Sequence, residues 1–271
     1  MKRALCVLSV ALLVLVSCSK DNDSVVTPGD KVITDPIVKK EDSIVLPPVL
    51  VQKVIYKEET GDVINNVLYD GNKIKSFMSS DRFGSKYTYT GNFITKMEIM
   101  RDDTLFSTSE YTYNKGKLST TTRKQPGRGF YDVTKYTHIT DSTIAYAKYK
   151  VIATTETEEE TGIMGRYTYR KGNLVKDQRF VNGVESISTN QFDTYNSPFK
   201  NVLGYNLLLG DENGYANNVI ENKSISGAGG TATTTIITSA YKYDSNKYPT
   251  ERVITYTSPK WSKTFTDEYV Y

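Results

Sequence analysis

The sequence predicts an all-β domain, a long antiparallel up-and-down meander of repeated hairpins curled into a roll, an open barrel or a two-layer sheet. Three observations carry that reading. A phrase of two aromatic-type positions one residue apart, a tight polar turn and a closing residue five positions after the second aromatic recurs at Tyr69–Ile74, Tyr89–Ile94, Tyr113–Leu118, Tyr169–Leu174 and Tyr243–Tyr248. Between phrases, apolar and polar residues alternate with the period of a half-buried strand. The second aromatics at 69, 89 and 113 are 89 − 69 = 20 and 113 − 89 = 24 residues apart, the length of two strands and two turns.

The N-terminus is read separately. Lys2 and Arg3 precede an apolar run from Ala4 to Val16 and then Leu15-Val16-Ser17-Cys18, a secretory signal too short to span a membrane. Leu-Val-Ser-Cys resembles the bacterial lipobox, which implies cleavage after residue 17 and acylation of Cys18. Ser19, Lys20, Asp21 and Asp23 behind it resemble the export signal that sends Bacteroidetes lipoproteins to the outer face of the outer membrane. Residues 18–50, with Pro28, Pro36, Pro47 and Pro48 among polar residues, read as a disordered tether, and residues 51–271 as one β-repeat domain. Cys6 leaves with the signal, so no disulfide, thiol nucleophile or Cys-metal site remains. Without Lys2 and Arg3 the basic count is 34 − 2 = 32 against 31 acidic residues, which leaves no basic footprint for nucleic acid.

Within the domain, Gln52 to Glu58 and Val63 to Tyr69 read as a strand pair around Glu59-Thr60-Gly61-Asp62. If each phrase turns on its two middle residues, the Tyr lies opposite the closing residue on one face. Gly71-Asn72 and Gly91-Asn92 suit type II′ turns, and Lys115-Gly116 and Lys171-Gly172 type I′ or a bulged variant. Tyr136-Thr137-His138 and Phe192-Asp193-Thr194-Tyr195 read as degenerate copies. Hairpin tips are expected at 124–129, 157–162 and 227–230. Residues 196–220 break the pattern and read as a short helical turn or a crossover; if the meander has a plug or cap, this is its place. Lys and Glu in most strands argue against a membrane-spanning barrel, whose outward face is an apolar band.

The phrase is similar to the YD-repeat, and more closely to the Tyr-rich β-repeat lipoproteins of unknown function common in Bacteroidetes, best at Tyr111-Thr112-Tyr113-Asn114-Lys115-Gly116-Lys117-Leu118. That resemblance implies a non-enzymatic envelope lipoprotein and transfers no catalytic residue.

Chemistry-bearing residues are few. His138, the single His, stands where other copies have Tyr and reads as its substitute, with no serine elbow to serve. No zinc-ligand pattern is present. Glu156, Glu158, Glu159 and Glu160 read as a solvated tip, and Asp211-Glu212-Asn213-Gly214 as a turn. The aromatic excess of 21 Tyr, 9 Phe and one Trp suits cross-strand packing or sugar stacking. Trp261, between Lys260 and Lys263, is the candidate glycan contact. The expectation is a lipid-anchored outer-membrane binding or structural module for a glycan or protein partner, without cofactor, metal or catalytic residues. A carrier with an open apolar cavity is the alternative, and a carboxylate hydrolase the third reading.

Overall fold

The computed structural model describes residues 47–227, 232–258 and 261–271. The expected signal, the expected lipidation site Cys18, Ser19, Lys20, Asp21, Asp23, nearly all of the expected tether and most of the expected tip at 227–230 lie outside the described residues. Sixteen strands follow in chain order. The first eight are β1 (Lys53–Lys57), β2 (Val63–Asp70), β3 (Lys73–Ser79), β4 (Phe83–Thr90), β5 (Phe93–Arg101), β6 (Thr104–Asn114), β7 (Lys117–Lys124) and β8 (Phe130–His138). The rest are β9 (Thr143–Ile152), β10 (Thr157–Arg170), β11 (Asn173–Val181), β12 (Val184–Phe192), β13 (Val219–Ser226), β14 (Thr233–Tyr243), β15 (Pro249–Ser258) and β16 (Trp261–Val270). Each pairs antiparallel with its neighbours in sequence, and β1 pairs with β16, so the meander closes into a barrel.

Closure goes further than the roll, open barrel or two layers expected, and the phrases supply its cause. Tyr69 lies opposite Ile74, Tyr89 opposite Ile94, Tyr113 opposite Leu118 and Tyr169 opposite Leu174. In every case the ladder slips by one residue immediately before that Tyr. Such a bulge bends its strand and adds twist. Repeated at one rim, it curls the sheet onto itself. The turns follow residue type: Gly71 and Gly91 take φ of +59° at the first central position, whereas Lys115-Gly116 and Lys171-Gly172 have positive φ at both.

Two expectations are corrected. Tyr243 faces Pro249, not Tyr248. Here the turn is longer, closed by Asp244 N to Tyr248 O at 2.9 Å and by the Asp244 carboxylate accepting from Tyr248 N at 2.8 Å. Residues 157–162 are strand rather than tip: Lys135 and Lys150 hold Glu158 and Glu159 on the barrel wall, and the reversal falls at 153–156, where Glu156 takes φ of +54°.

In an up-and-down barrel, alternate turns share a rim. The phrase turns therefore lie on one rim, here called the near rim, together with the β12–β13 connection. That connection, residues 193–218, lies where the sequence places any plug, and is called the plug below. Bonds from Val202 N to Phe199 O, Tyr205 N to Val202 O and Leu208 N to Tyr205 O wind it with a three-residue repeat. Phe199, Val202, Tyr205 and Leu208 thus share a face, which packs on Val51, Val54, Val67, Ile74 and Ile94 of the barrel wall.

Many outward positions are charged, beside exposed apolar ones such as Leu68, Met164 and Ile225. Lys86 faces Glu98 and Lys96 faces Glu110 across their ladders, and Lys124 bonds Glu110 at 3.0 Å. Lys242 pairs with Glu251 at 2.9 Å and Lys57 with Glu268 at 3.1 Å.

Candidate functional site

The residues opposite to these outward charges line a lumen, and strand alternation decides which they are. On β16, Trp261, Lys263, Phe265, Asp267 and Tyr269 share the inner face with Tyr256, Ile254 and Arg252 of β15. On β12 and β13 the inward residues are small and polar, Ser188, Asn190, Asn222 and Ser224. They form one network: Asn222 Nδ2 donates to Ser188 Oγ at 2.7 Å and to Asn190 Oδ1 at 2.6 Å, and Ser224 Oγ to Ser188 Oγ at 3.1 Å.

Two adjoining cavities occupy this side of the lumen. One, about 350 Å³, lies beneath the plug, against Phe199, Tyr205, Tyr87 and Tyr241. The other, about 780 Å³, runs from Ser188, Asn190 and Asn222 across to Tyr256, Trp261 and Phe265. Tyr56, Glu212, Tyr215, Val219, Arg252 and Asp267 line both. A further space of about 470 Å³ lies between Tyr111, Tyr136 and plug residues Leu208 to Asn213, so the plug tip projects into the lumen.

Charges inside are buried and perturbed. Asp267, only 7% exposed, has its carboxyl pushed up to about 6. Desolvation is the main cause, the Arg252 guanidinium opposes it and the Glu212 carboxylate adds to it. Arg252 sits 4.0 Å from Asp267 and donates from Nε to Ser239 Oγ at 3.1 Å. Burial also raises Asp177, although Tyr146 donates to it at 3.1 Å, and Asp211 in the plug. Desolvation pushes the Tyr56 and Tyr241 hydroxyls up to about 12, so both are neutral donors at any physiological pH.

In the comparison with solved structures, the chain is similar to a porin-like protein from Bacteroides uniformis. The TM-score is 0.50 at 12% identity, over 82% of this chain and 98% of that one. The shared feature is the fold. No protein-family model matches the sequence, and no curated relative matches it.

Trp261 is 54% exposed at the far rim, on the inner face of β16, rather than on an outer platform. The phrase tyrosines are framework. Tyr113 OH donates to Ile94 O at 2.8 Å, the closing residue of the preceding phrase, and Tyr89 OH accepts from Ile74 N at 3.2 Å and donates to Leu203 O of the plug at 2.9 Å. His138 does the same work, with Nε2 2.8 Å from Leu118 O. Glu156 accepts from Tyr131 and Glu158 and Glu159 are paired with lysines, which occupies that acidic group. Asp211 accepts from Asn213 N at 2.9 Å and caps a single turn, Glu212–Gly214. Among the described residues no group of three or more His, Cys, Asp or Glu is placed to hold a metal ion. Sequence reasoning missed Asp177, Asn190, Asn222, Arg252 and Asp267, which come from distant strands and share no spacing.

Proposed function

We propose that the protein is an outer-membrane lipoprotein whose barrel binds a glycan in its lumen, and that it is a binding module rather than an enzyme. The observation that carries this is the 780 Å³ cavity, bordered on one side by Tyr256, Trp261 and Phe265 and on the other by Ser188, Asn190 and Asn222. A sugar ring has an apolar C–H face and a hydroxyl-bearing edge. Aromatic rings stack on the first, while amides and hydroxyls exchange hydrogen bonds with the second. The volume lies within the usual range for a small-molecule site.

The apolar-carrier alternative fits this lining less well, because a lipid tail would desolvate Asn190, Asn222, Arg252 and Asp267 without replacing their hydrogen bonds. Anchoring through lipid at Cys18, with Ser19, Lys20, Asp21 and Asp23 directing export to the cell surface, suits a barrel whose outer wall carries Lys–Glu pairs where a spanning barrel has an apolar band.

The test is a glycan array probed with the parent protein and with Trp261→Ala. Because Trp261 is half-exposed at the rim, the variant should melt within a few degrees of the parent and bind its glycans at least tenfold more weakly. Equal binding by both would overturn the lumen site.

One observation favours hydrolysis as a second reading: Asp267, whose carboxyl burial pushes up to about 6, shares both cavities with the Glu212 carboxyl, and glycoside cleavage uses two carboxyls. Release of reducing sugar by the parent and not by Asp267→Asn would replace binding with turnover.

A further inference from the structure

We infer that the lumen takes a glycan by its chain end, so that the ligand class is a terminal sequence or free oligosaccharide rather than the interior of a polysaccharide. This rests on the glycan reading above and adds to it which part of the glycan is recognised. On the side of the two adjoining cavities the lumen is closed at the near rim. The plug is fastened to four separate parts of that rim. Leu203 N donates to Asn72 O at 2.9 Å, Gly210 N to Tyr169 OH at 2.9 Å, Asn201 Nδ2 to Val49 O at 2.9 Å and Asn196 N to Lys247 O at 3.0 Å. Beneath these bonds, Phe199, Tyr205 and Leu208 are buried. Among the described residues each of the sixteen strands is bonded to both neighbours, so the wall is continuous around the barrel. The larger cavity instead reaches the far rim, where Trp261 and Lys263 are exposed.

A polymer held along its length needs a groove or two openings, and the two adjoining cavities offer neither. A chain end entering past Trp261 would run along the Ser188–Asn222 wall and stop under the plug, where Tyr56, Arg252 and Asp267 present a phenol, a guanidinium and a carboxyl. The terminal residue would therefore meet the most polar and most enclosed part of the site, and the residues behind it mainly the aromatic rim.

The test uses amylose, β-mannan, xylan and polygalacturonate, each intact and as a size-fractionated partial hydrolysate, with binding sites counted per gram by calorimetry on the full-length mature protein. For whichever glycan binds, sites per gram should rise in proportion to the number of chain ends, about tenfold when mean length falls tenfold. Fragments blocked at one terminus, by reduction of the reducing end or enzymatic capping of the other, should identify the end that enters by losing affinity at least tenfold for one of the two. Equal sites per gram for polymer and hydrolysate, or several protein copies bound along one chain, would overturn end recognition while leaving glycan binding standing. Binding to none of the four would overturn the glycan reading for these polymers, and end recognition with it.

Discussion

Replacing Asp267 with Asn should remove a pH dependence of stability whose size follows from the carboxyl's position. The carboxyl is 7% exposed and its titration is raised from 3.8 to about 6, burial outweighing the nearby guanidinium of Arg252. A raised pKa means that the folded state holds its proton more tightly than the unfolded chain. Stability from this group is thus fully present below about pH 4, is lost as pH rises through about 6, and changes no further above that. A shift of about two units at about 1.4 kcal/mol each makes the loss about 3 kcal/mol. Urea unfolding at pH 4, 5, 6 and 7 on the parent and on Asp267→Asn provides the assay. Other carboxylates titrate in both proteins and largely cancel in the difference. The parent's advantage over the variant should fall by about 2 to 2.5 kcal/mol between pH 4 and 7, most of the full loss. A difference that stays flat would mean that Asp267 is hydrated, and the enclosed polar pocket under the plug would then be wrong.

Three further outcomes are expected. Phe199→Ala, which empties a buried site against Phe77 and Tyr205, should cost about 3 to 5 kcal/mol in chemical unfolding, and a loss below about 1 would show that the plug is not part of the cooperative core. Gly165→Ala would place a Cβ 2.4 Å from Gln178 O and 2.5 Å from the Tyr146 ring, so it should cost about 1 to 3 kcal/mol by thermal melting, against near-neutrality if β10 can shift away. Protease shaving of intact cells should release the parent domain, whereas a variant with Lys20, Asp21 and Asp23 all changed to Ala should stay protected until lysis; protection of both forms would mean that the domain faces the periplasm.

Local features of this barrel are legible in its sequence because they depend on residues a few positions apart. The register of Tyr69 with Ile74, or of Tyr113 with Leu118, follows from turn chemistry alone, as does the expectation of His138 in a Tyr position. The plug is visible as a loss of alternation after Phe192. What escapes is whatever depends on register between strands. Closure is helped by bulges whose extra residues, Lys75, Thr95, Ser119 and Val175, directly follow the closing residues, and a bulge leaves no mark in composition. The Tyr243 turn is misread because Asp244, by accepting from Tyr248 N, makes room for one more residue. Residues 157–162 read as a tip because four acidic residues look solvated, although Lys135 and Lys150 on neighbouring strands hold two of them in the wall. The lumen is least legible of all. Its polar border comes from β12 and β13 and its aromatic border from β15 and β16, so no window of sequence contains both. Only Trp261 stood out, as the single Trp of the chain, and sequence reasoning did not show that it faces inward.

That single Trp also offers the most direct measurement of the central claim, that ligand enters the lumen past the far rim. Its emission reports on one place, the mouth of the larger cavity, with no other indole to confuse it. Titrating the parent protein with a glycan that binds in calorimetry should shift the Trp261 emission to shorter wavelength, or quench it, along a saturation curve with the calorimetric Kd. Saturable heat of binding with the emission unchanged would place the ligand on the outside of the barrel and contradict the account.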